Sequence, residues 1–272
     1  MPTLQGDLWV SDRLWLIGGT QDSKILAQHL VEAGIPCVAS VTTESARSLY
    51  PVAPTLVCHV GTLNASQITE FVQRYRVIGI LDASHPFAVD ISQQAIALAQ
   101  TLKLPYLRYE RPTIDSDPQS EPFSETANSL QTVLASGALQ GERVLFTLGY
   151  RWLGQLKAYQ DQAVLFARIL PSEVALKAAI AAGFTSDRLI ALRPPISPSL
   201  ERALWQQWRI SVVVTKASGA PGGEDVKRQL AKELGIRCVA IARPAIPYPQ
   251  WTSDLTTSLA FCKQVYESAH HI

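Results

Sequence analysis

The chain is short of charge. Asp, Glu, Lys and Arg make up 17% of its 272 residues, and 24 basic against 23 acidic side chains leave a net charge of +1. Soluble proteins average roughly 25% charged residues. No basic stripe or block of like charge occurs, so the electrostatic footprint of a nucleic-acid binder is missing. No uninterrupted apolar run reaches the about 18 residues that a membrane span needs. Residues 1–12 carry neither the basic nor the apolar region of an export signal. The expectation is a cytoplasmic protein with no nucleic-acid or membrane partner.

Cysteine is equally sparse. Cys37, Cys58, Cys238 and Cys262 form no C-x-x-C pair. Cys37, Cys58 and Cys238 lie in or beside apolar strand-like runs, which points to buried thiols rather than disulfides or a metal site. The P-loop, H-E-x-x-H and G-x-S-x-G patterns are absent, so phosphoryl transfer, zinc proteolysis and α/β-hydrolase chemistry have no support.

Hydrophobic residues reach 47%, enough to fill sizeable cores, and the length suits two domains at roughly 150 residues each. From residue 14 to 112, short apolar runs alternate with helix-period segments. Strands are predicted at 14–17, 37–42, 55–60, 77–81 and 105–108, and helices from Thr20 to Gly34, at 64–75 and at 87–102. Continuous apolar strands alternating with helices predict a parallel sheet covered on both faces. At 111–122 the composition turns polar and Pro-rich, the best candidate for a boundary. A second series follows, with strands at 143–147, 163–168, 189–192, 210–215 and 238–241 and helices at 152–159, 173–182, 198–208 and 224–234. The Pro-rich stretch 243–249 then leads to a final helix at 254–267. The expected fold is α/β, with two Rossmann-like lobes, 1–115 and 116–272, their sheets flanked by helices and a ligand cleft between them.

Three segments carry chemistry. Gly18-Gly19-Thr20 joins a strand to a helix, the geometry that sets a phosphate on backbone N–H groups at a helix start. It lacks the full G-x-G-x-x-G, and a plain turn is the alternative. Next, the loop after the second strand offers Thr42, Thr43, Ser45 and Arg47. Hydroxyls with a guanidinium suit the 2′-phosphate of NADP, whereas an NAD site places an acid there; an ordinary polar loop reads the same way. Third, Asp82-Ala83-Ser84-His85-Pro86-Phe87-Ala88 falls at the carboxyl end of a predicted parallel strand, where ligands of open α/β sheets bind. A histidine bonded to its own turn is the alternative.

These segments resemble the precorrin-6A reductases, including the cobalt-precorrin-6A reductases, of corrin-ring biosynthesis. The likeness includes Val41-Thr42-Thr43, the Asp82 to Ala88 stretch, and Tyr106-Leu107-Arg108-Tyr109-Glu110-Arg111-Pro112. It continues through Thr147-Leu148-Gly149, Ala167-Arg168-Ile169-Leu170-Pro171 and Val214-Thr215-Lys216-Ala217-Ser218-Gly219. Ala217 stands where the family usually has Asp, Arg193-Pro194-Pro195-Ile196 where it has a Gln-Gly-Pro-Phe-like segment, and Ala220 where it has a second Gly.

The resemblance implies an enzyme that uses NADPH to reduce one carbon–carbon double bond of precorrin-6A, or of its cobalt form, giving precorrin-6B. It implies an NADPH lobe at 1–115 and a substrate lobe at 116–272. Gly18, Gly19 and Thr20 hold the pyrophosphate in that reading, and Thr42, Thr43, Ser45 and Arg47 the 2′-phosphate. Ser84, His85, Pro86 and Phe87 face the nicotinamide. Arg108, Arg151, Lys216, Ser218 and Gly219 meet the carboxylates of the tetrapyrrole substrate, with Lys216 and His85 as catalytic candidates and no protein-held metal. A cleft complete within one chain suits a monomer or a weak homo-oligomer.

Two rivals remain. A short-chain dehydrogenase needs Tyr-x-x-x-Lys, and none of the eight tyrosines has Lys four residues later. A non-catalytic, two-lobed binding protein of periplasmic type is disfavoured by the missing export signal and by a first strand within fifteen residues of the start.

Overall fold

The computed structural model describes residues 11–114 and 123–270. The chain forms two compact units, Met1–Pro112 with Pro244–Ile272, and Thr113–Arg243. Most of the 111–122 boundary segment lies outside the described residues.

In the first unit, β1 (Arg13–Ile17), β2 (Cys37–Val41), β3 (Leu56–Val60), β4 (Val77–Asp82), β5 (Tyr106–Tyr109) and β12 (Trp251–Thr252) make one sheet in the order β3-β2-β1-β4-β5-β12. Every pairing is parallel. The order reverses between β1 and β4, which makes the carboxyl ends of those strands the topological switch point. Side chains alternate along β1 and split the core in two. Leu14 and Leu16 pack with Leu26, Leu30 and Ala39 on one face, while Trp15 and Ile17 pack with Phe71, Ile80 and Ala95 on the other.

Helix α1 (Gln21–Glu32) starts where a capping box predicts it: Thr20 Oγ1 accepts from the Ser23 amide and Ser23 Oγ from the Thr20 amide. Helix α2 (Glu44–Arg47) is a single turn that the polar sequence did not announce, capped by Thr43. Helices α3 (Ala65–Arg74) and α4 (Val89–Leu102) follow β3 and β4 as expected. Asn64 accepts the first free amides of α3 from Ser66 and Gln67.

One expectation needs correcting. The C-terminal segment does not belong with the second lobe. Helix α9 (Leu255–His270) buries Cys262 and Val265 in the core of the first unit, and β12 extends that unit's sheet beside β5. Gly79 on β4 makes room for α9, because a Cβ there would stand 2.8 Å from Val265 Cγ1. Chain order alone places a terminal helix with its nearest neighbours in sequence, and the apolar face of α9 overrides it.

The second unit repeats the design. Strands β6 (Ser124–Ala127), β7 (Arg143–Phe146), β8 (Val164–Ile169), β9 (Leu189–Ala191), β10 (Val212–Lys216) and β11 (Arg237–Ile241) form a parallel sheet ordered β6-β11-β10-β7-β8-β9. Its switch point lies between β7 and β10. Helices α5 (Leu130–Ala135), α6 (Glu173–Ala181), α7 (Pro198–Gln207) and α8 (Glu224–Leu234) connect the strands. The segment expected as a helix at 152–159 is a run of 3-10 turns, Tyr150–Tyr159. Two elements lie outside the expected series: β6, where Ser124–Ala127 has one inward residue and no apolar period, and the short helix α5, capped by Ser129. Among the described residues no helix is long and apolar enough to cross a membrane. All four cysteines are free, with Cys58 only half-buried.

Candidate functional site

The glycine turn after β1 is closely packed. A Cβ on Gly18 would lie 2.2 Å from the Tyr50 hydroxyl, so only glycine fits, and Gly19 has a φ of +94°. The backbone amides here are engaged inside the protein, which revises their expected role. Gly18 N–H donates to Ser40 O at 3.0 Å, Gly19 N–H to Tyr50 Oη at 2.7 Å and Thr20 N–H to Ser23 Oγ at 3.0 Å. The turn therefore supplies shape. Gln21 and Asp22, the first residues of α1, carry the amides that have no acceptor within the helix, and the dipole favours an anion beside them. Thr20 Oγ1 also donates to Ala83 O at 2.8 Å, tying the turn to the end of β4.

Past β2, the loop residues Thr42, Thr43, Ser45 and Arg47 are all exposed. Thr43 Oγ1 caps α2 and lies 3.1 Å from Ser45 Oγ. Arg47 makes one loose ion pair, 3.6 Å from Glu44, and keeps 60% of its side chain open to solvent. The loop is thus a reachable cluster of hydroxyls and one guanidinium at the same sheet edge as the glycine turn.

At the end of β4, Asp82 is fully buried. Its Oδ1 accepts from Arg108 Nη1 (2.8 Å) and the Ser84 amide (3.0 Å), and its Oδ2 from Ser92 Oγ (2.6 Å) and Tyr106 Oη (2.8 Å). Arg108 also donates to Ser84 Oγ, Ser84 O and Glu110 Oε2. Its side chain is 1% exposed. Burial pulls the guanidinium pKa down, and Asp82 with Glu110 raises it further than that. Burial and then Asp82 push the Tyr106 phenol up, which keeps it a donor. Arg108 is accordingly no anchor for an incoming carboxylate; it is a strut that fixes the 84–87 turn. Ser84 is spent on Arg108 and Pro86 is buried, which leaves half-buried His85 and Phe87 as the residues that the turn presents. His85 Nδ1 accepts from the Phe87 amide at 3.2 Å, so the neutral ring carries its proton on Nε2. Alongside, Glu110, Ile246, Pro247, Tyr248 and Trp251 line a cavity of about 380 Å³.

In the second unit the switch point gathers Lys216, from the end of β10, with Arg151 and Trp152, from the turn after β7. Lys216 Nζ lies 5.6 Å from the centre of the Trp152 ring. Burial, with a smaller push from Arg151, lowers the Lys216 ammonium to about 8. Arg151 itself is exposed. Ser218 and Gly219 shape the turn and do not offer themselves to a ligand: Ser218 is 5% exposed and Gly219 N–H donates to Glu224 Oε2 at 2.8 Å. Tyr50, Trp152 and Glu224 escaped sequence reasoning, since each acts from outside the segment that it supports.

Residues 13–263 match the family described as Precorrin-6x reductase CbiJ/CobK. A cobalt-precorrin-6A reductase of Synechocystis sp. is 48% identical over 251 residues, covering 92% of this chain and 96% of its own. A precorrin-6A reductase of Rhodococcus erythropolis is 30% identical, with 89% and 93% covered. Among solved structures, a CobK precorrin-6A reductase superposes with a TM-score of 0.77 at 24% identity, over 94% of this chain and 97% of that one.

Proposed function

The chain belongs to the precorrin-6x reductase family and is an oxidoreductase of corrin-ring biosynthesis; we propose that it takes its electrons from NADPH, bound at the carboxyl edge of the first sheet, to reduce one carbon–carbon double bond of the precorrin-6A macrocycle. The observation that carries this reading is the exposed Thr42-Thr43-Ser45-Arg47 loop next to a close-packed glycine turn at a β1/β4 switch point. A dinucleotide fits these features: the first turn of α1 offers amides with no acceptor within the helix, and the loop offers cation and hydroxyls where a 2′-phosphate belongs. NADPH supplies the hydride when bound.

The chain's own residues do the rest. Arg47, Thr42, Thr43 and Ser45 hold the 2′-phosphate, and the first turn of α1 takes the pyrophosphate. His85 Nε2 and Phe87 border the nicotinamide. In the second unit Lys216 and Arg151 meet substrate carboxylates, with Trp152 as a flat apolar neighbour. Lys216 stays protonated at neutral pH with a pKa near 8, so its Nζ is the side-chain proton donor in this reading. The cobalt-bearing ring is the favoured substrate, on the 48% identity to the Synechocystis relative. The reaction belongs in the cytoplasm.

Anaerobic incubation with precorrin-6A or its cobalt form tests the reading. NADPH should be consumed in step with ring reduction, faster than NADH and faster with the cobalt ring. No consumption with either ring contradicts it.

A further inference from the structure

Tyr50 belongs to neither motif, yet it touches both. It stands three residues past α2, and its amide donates to Arg47 O at 3.1 Å. Its side chain is 7% exposed and runs under the glycine turn. Gly19 N–H donates to Tyr50 Oη at 2.7 Å, and Tyr50 Oη lies 2.6 Å from Ser23 Oγ. Ser23 Oγ in turn donates to Thr20 O at 2.8 Å. One proton ordering satisfies the whole set: Gly19 N–H to Tyr50, Tyr50 O–H to Ser23, Ser23 O–H to Thr20 O. Each hydroxyl both accepts and donates, the arrangement in which neighbouring hydrogen bonds strengthen one another. Burial pushes the phenol pKa up, with the Ser23 and Gly19 contacts pulling the other way.

We infer that Tyr50 is a positioning residue which locks the glycine turn to the end of the exposed hydroxyl–arginine loop, so that the pyrophosphate and 2′-phosphate parts of the cofactor site hold a fixed spacing. The inference rests on the NADPH reading of that site. The same contact explains the bare Gly18: its missing Cβ is the space that the Tyr50 hydroxyl occupies. Without the hydroxyl, Gly19 N–H loses its protein acceptor, and the turn loses the partner that holds its left-handed conformation.

Tyr50→Phe removes the hydroxyl and keeps the ring. Dissociation constants for NADPH and NADH, measured by protein-bound nicotinamide fluorescence, should both rise by a similar factor, roughly three- to tenfold for one lost hydrogen bond. The loss should fall on KM for the cofactor and not on kcat. Ser23→Ala, which cuts the same chain one link later, should weaken both cofactors in the same way. Arg47→Ala should weaken NADPH alone, which separates turn positioning from 2′-phosphate contact. A wild-type protein that binds neither cofactor overturns the NADPH reading. Wild-type binding with unchanged or tighter binding in both variants overturns the role of Tyr50, and so does a variant whose only change is a smaller folded fraction with native affinity.

Discussion

Arg108 donates to Asp82 across 2.8 Å, with the two side chains 1% and 0% exposed. The pair shares its remaining atoms among Ser84, Ser92, Tyr106 and Glu110. Charge in such a place is tolerated because every partner is present, and the beneficiary is the turn that carries His85 and Phe87. Arg108→Met leaves Asp82 buried without its counter-ion. Stability should fall by about 3–5 kcal/mol, read from urea unfolding. A variant as stable as wild type would show that the pair is not needed to hold the turn.

Arg47 gives the opposite case, an arginine that the fold leaves open. Arg47→Ala should weaken NADPH binding by about 1–3 kcal/mol, the range of a charge-assisted contact, and leave NADH binding near its original value. An equal loss for both cofactors would remove Arg47 from the 2′-phosphate site.

Lys216 titrates near 8 because burial and Arg151 disfavour its charged form. A step that needs the protonated amine is therefore fully supported below that pH and fades as pH rises through about 8. Arg151→Ala removes the lesser of the two causes, so the break in the rate profile should move upward. Lys216→Ala should lower the reduction rate, flatten this limb and leave NADPH affinity alone. A profile identical in the wild type and in Lys216→Ala would deny the amine any part in proton delivery.

The seat of α9 on the first unit is also testable. Gly79→Ala sets a Cβ 2.8 Å from Val265 Cγ1, and overpacking of this kind costs about 1–3 kcal/mol. Val265→Ala relieves the clash, so the double variant should lose less stability than the sum of the two singles. Strict additivity would place the two residues out of contact.

Much of this was legible in the sequence. Buried parallel strands announce themselves as apolar runs, unbroken at 14–17 and interrupted only by Ser40 at 37–41, and Thr20 and Asn64 mark their helix starts by capping chemistry. The sheet-edge location of the Gly18, Thr42 and His85 segments followed from the same rhythm. What stayed hidden depends on contacts between distant residues. Arg108 reads as a free cation until Asp82, 26 positions away, is seen beside it. Gly19 reads as a phosphate donor until Tyr50, 31 positions on, takes its amide. Strand β12 has two residues and no period of its own, so only β5 reveals it.

The most direct test of the central claim is a titration of the purified protein with NADPH and with NADH, followed by the fluorescence of the bound nicotinamide. The account predicts saturable binding of NADPH, at least several-fold tighter than NADH, with the preference abolished in Arg47→Ala. Equal affinity for the two cofactors, or a preference for NADH, would contradict it.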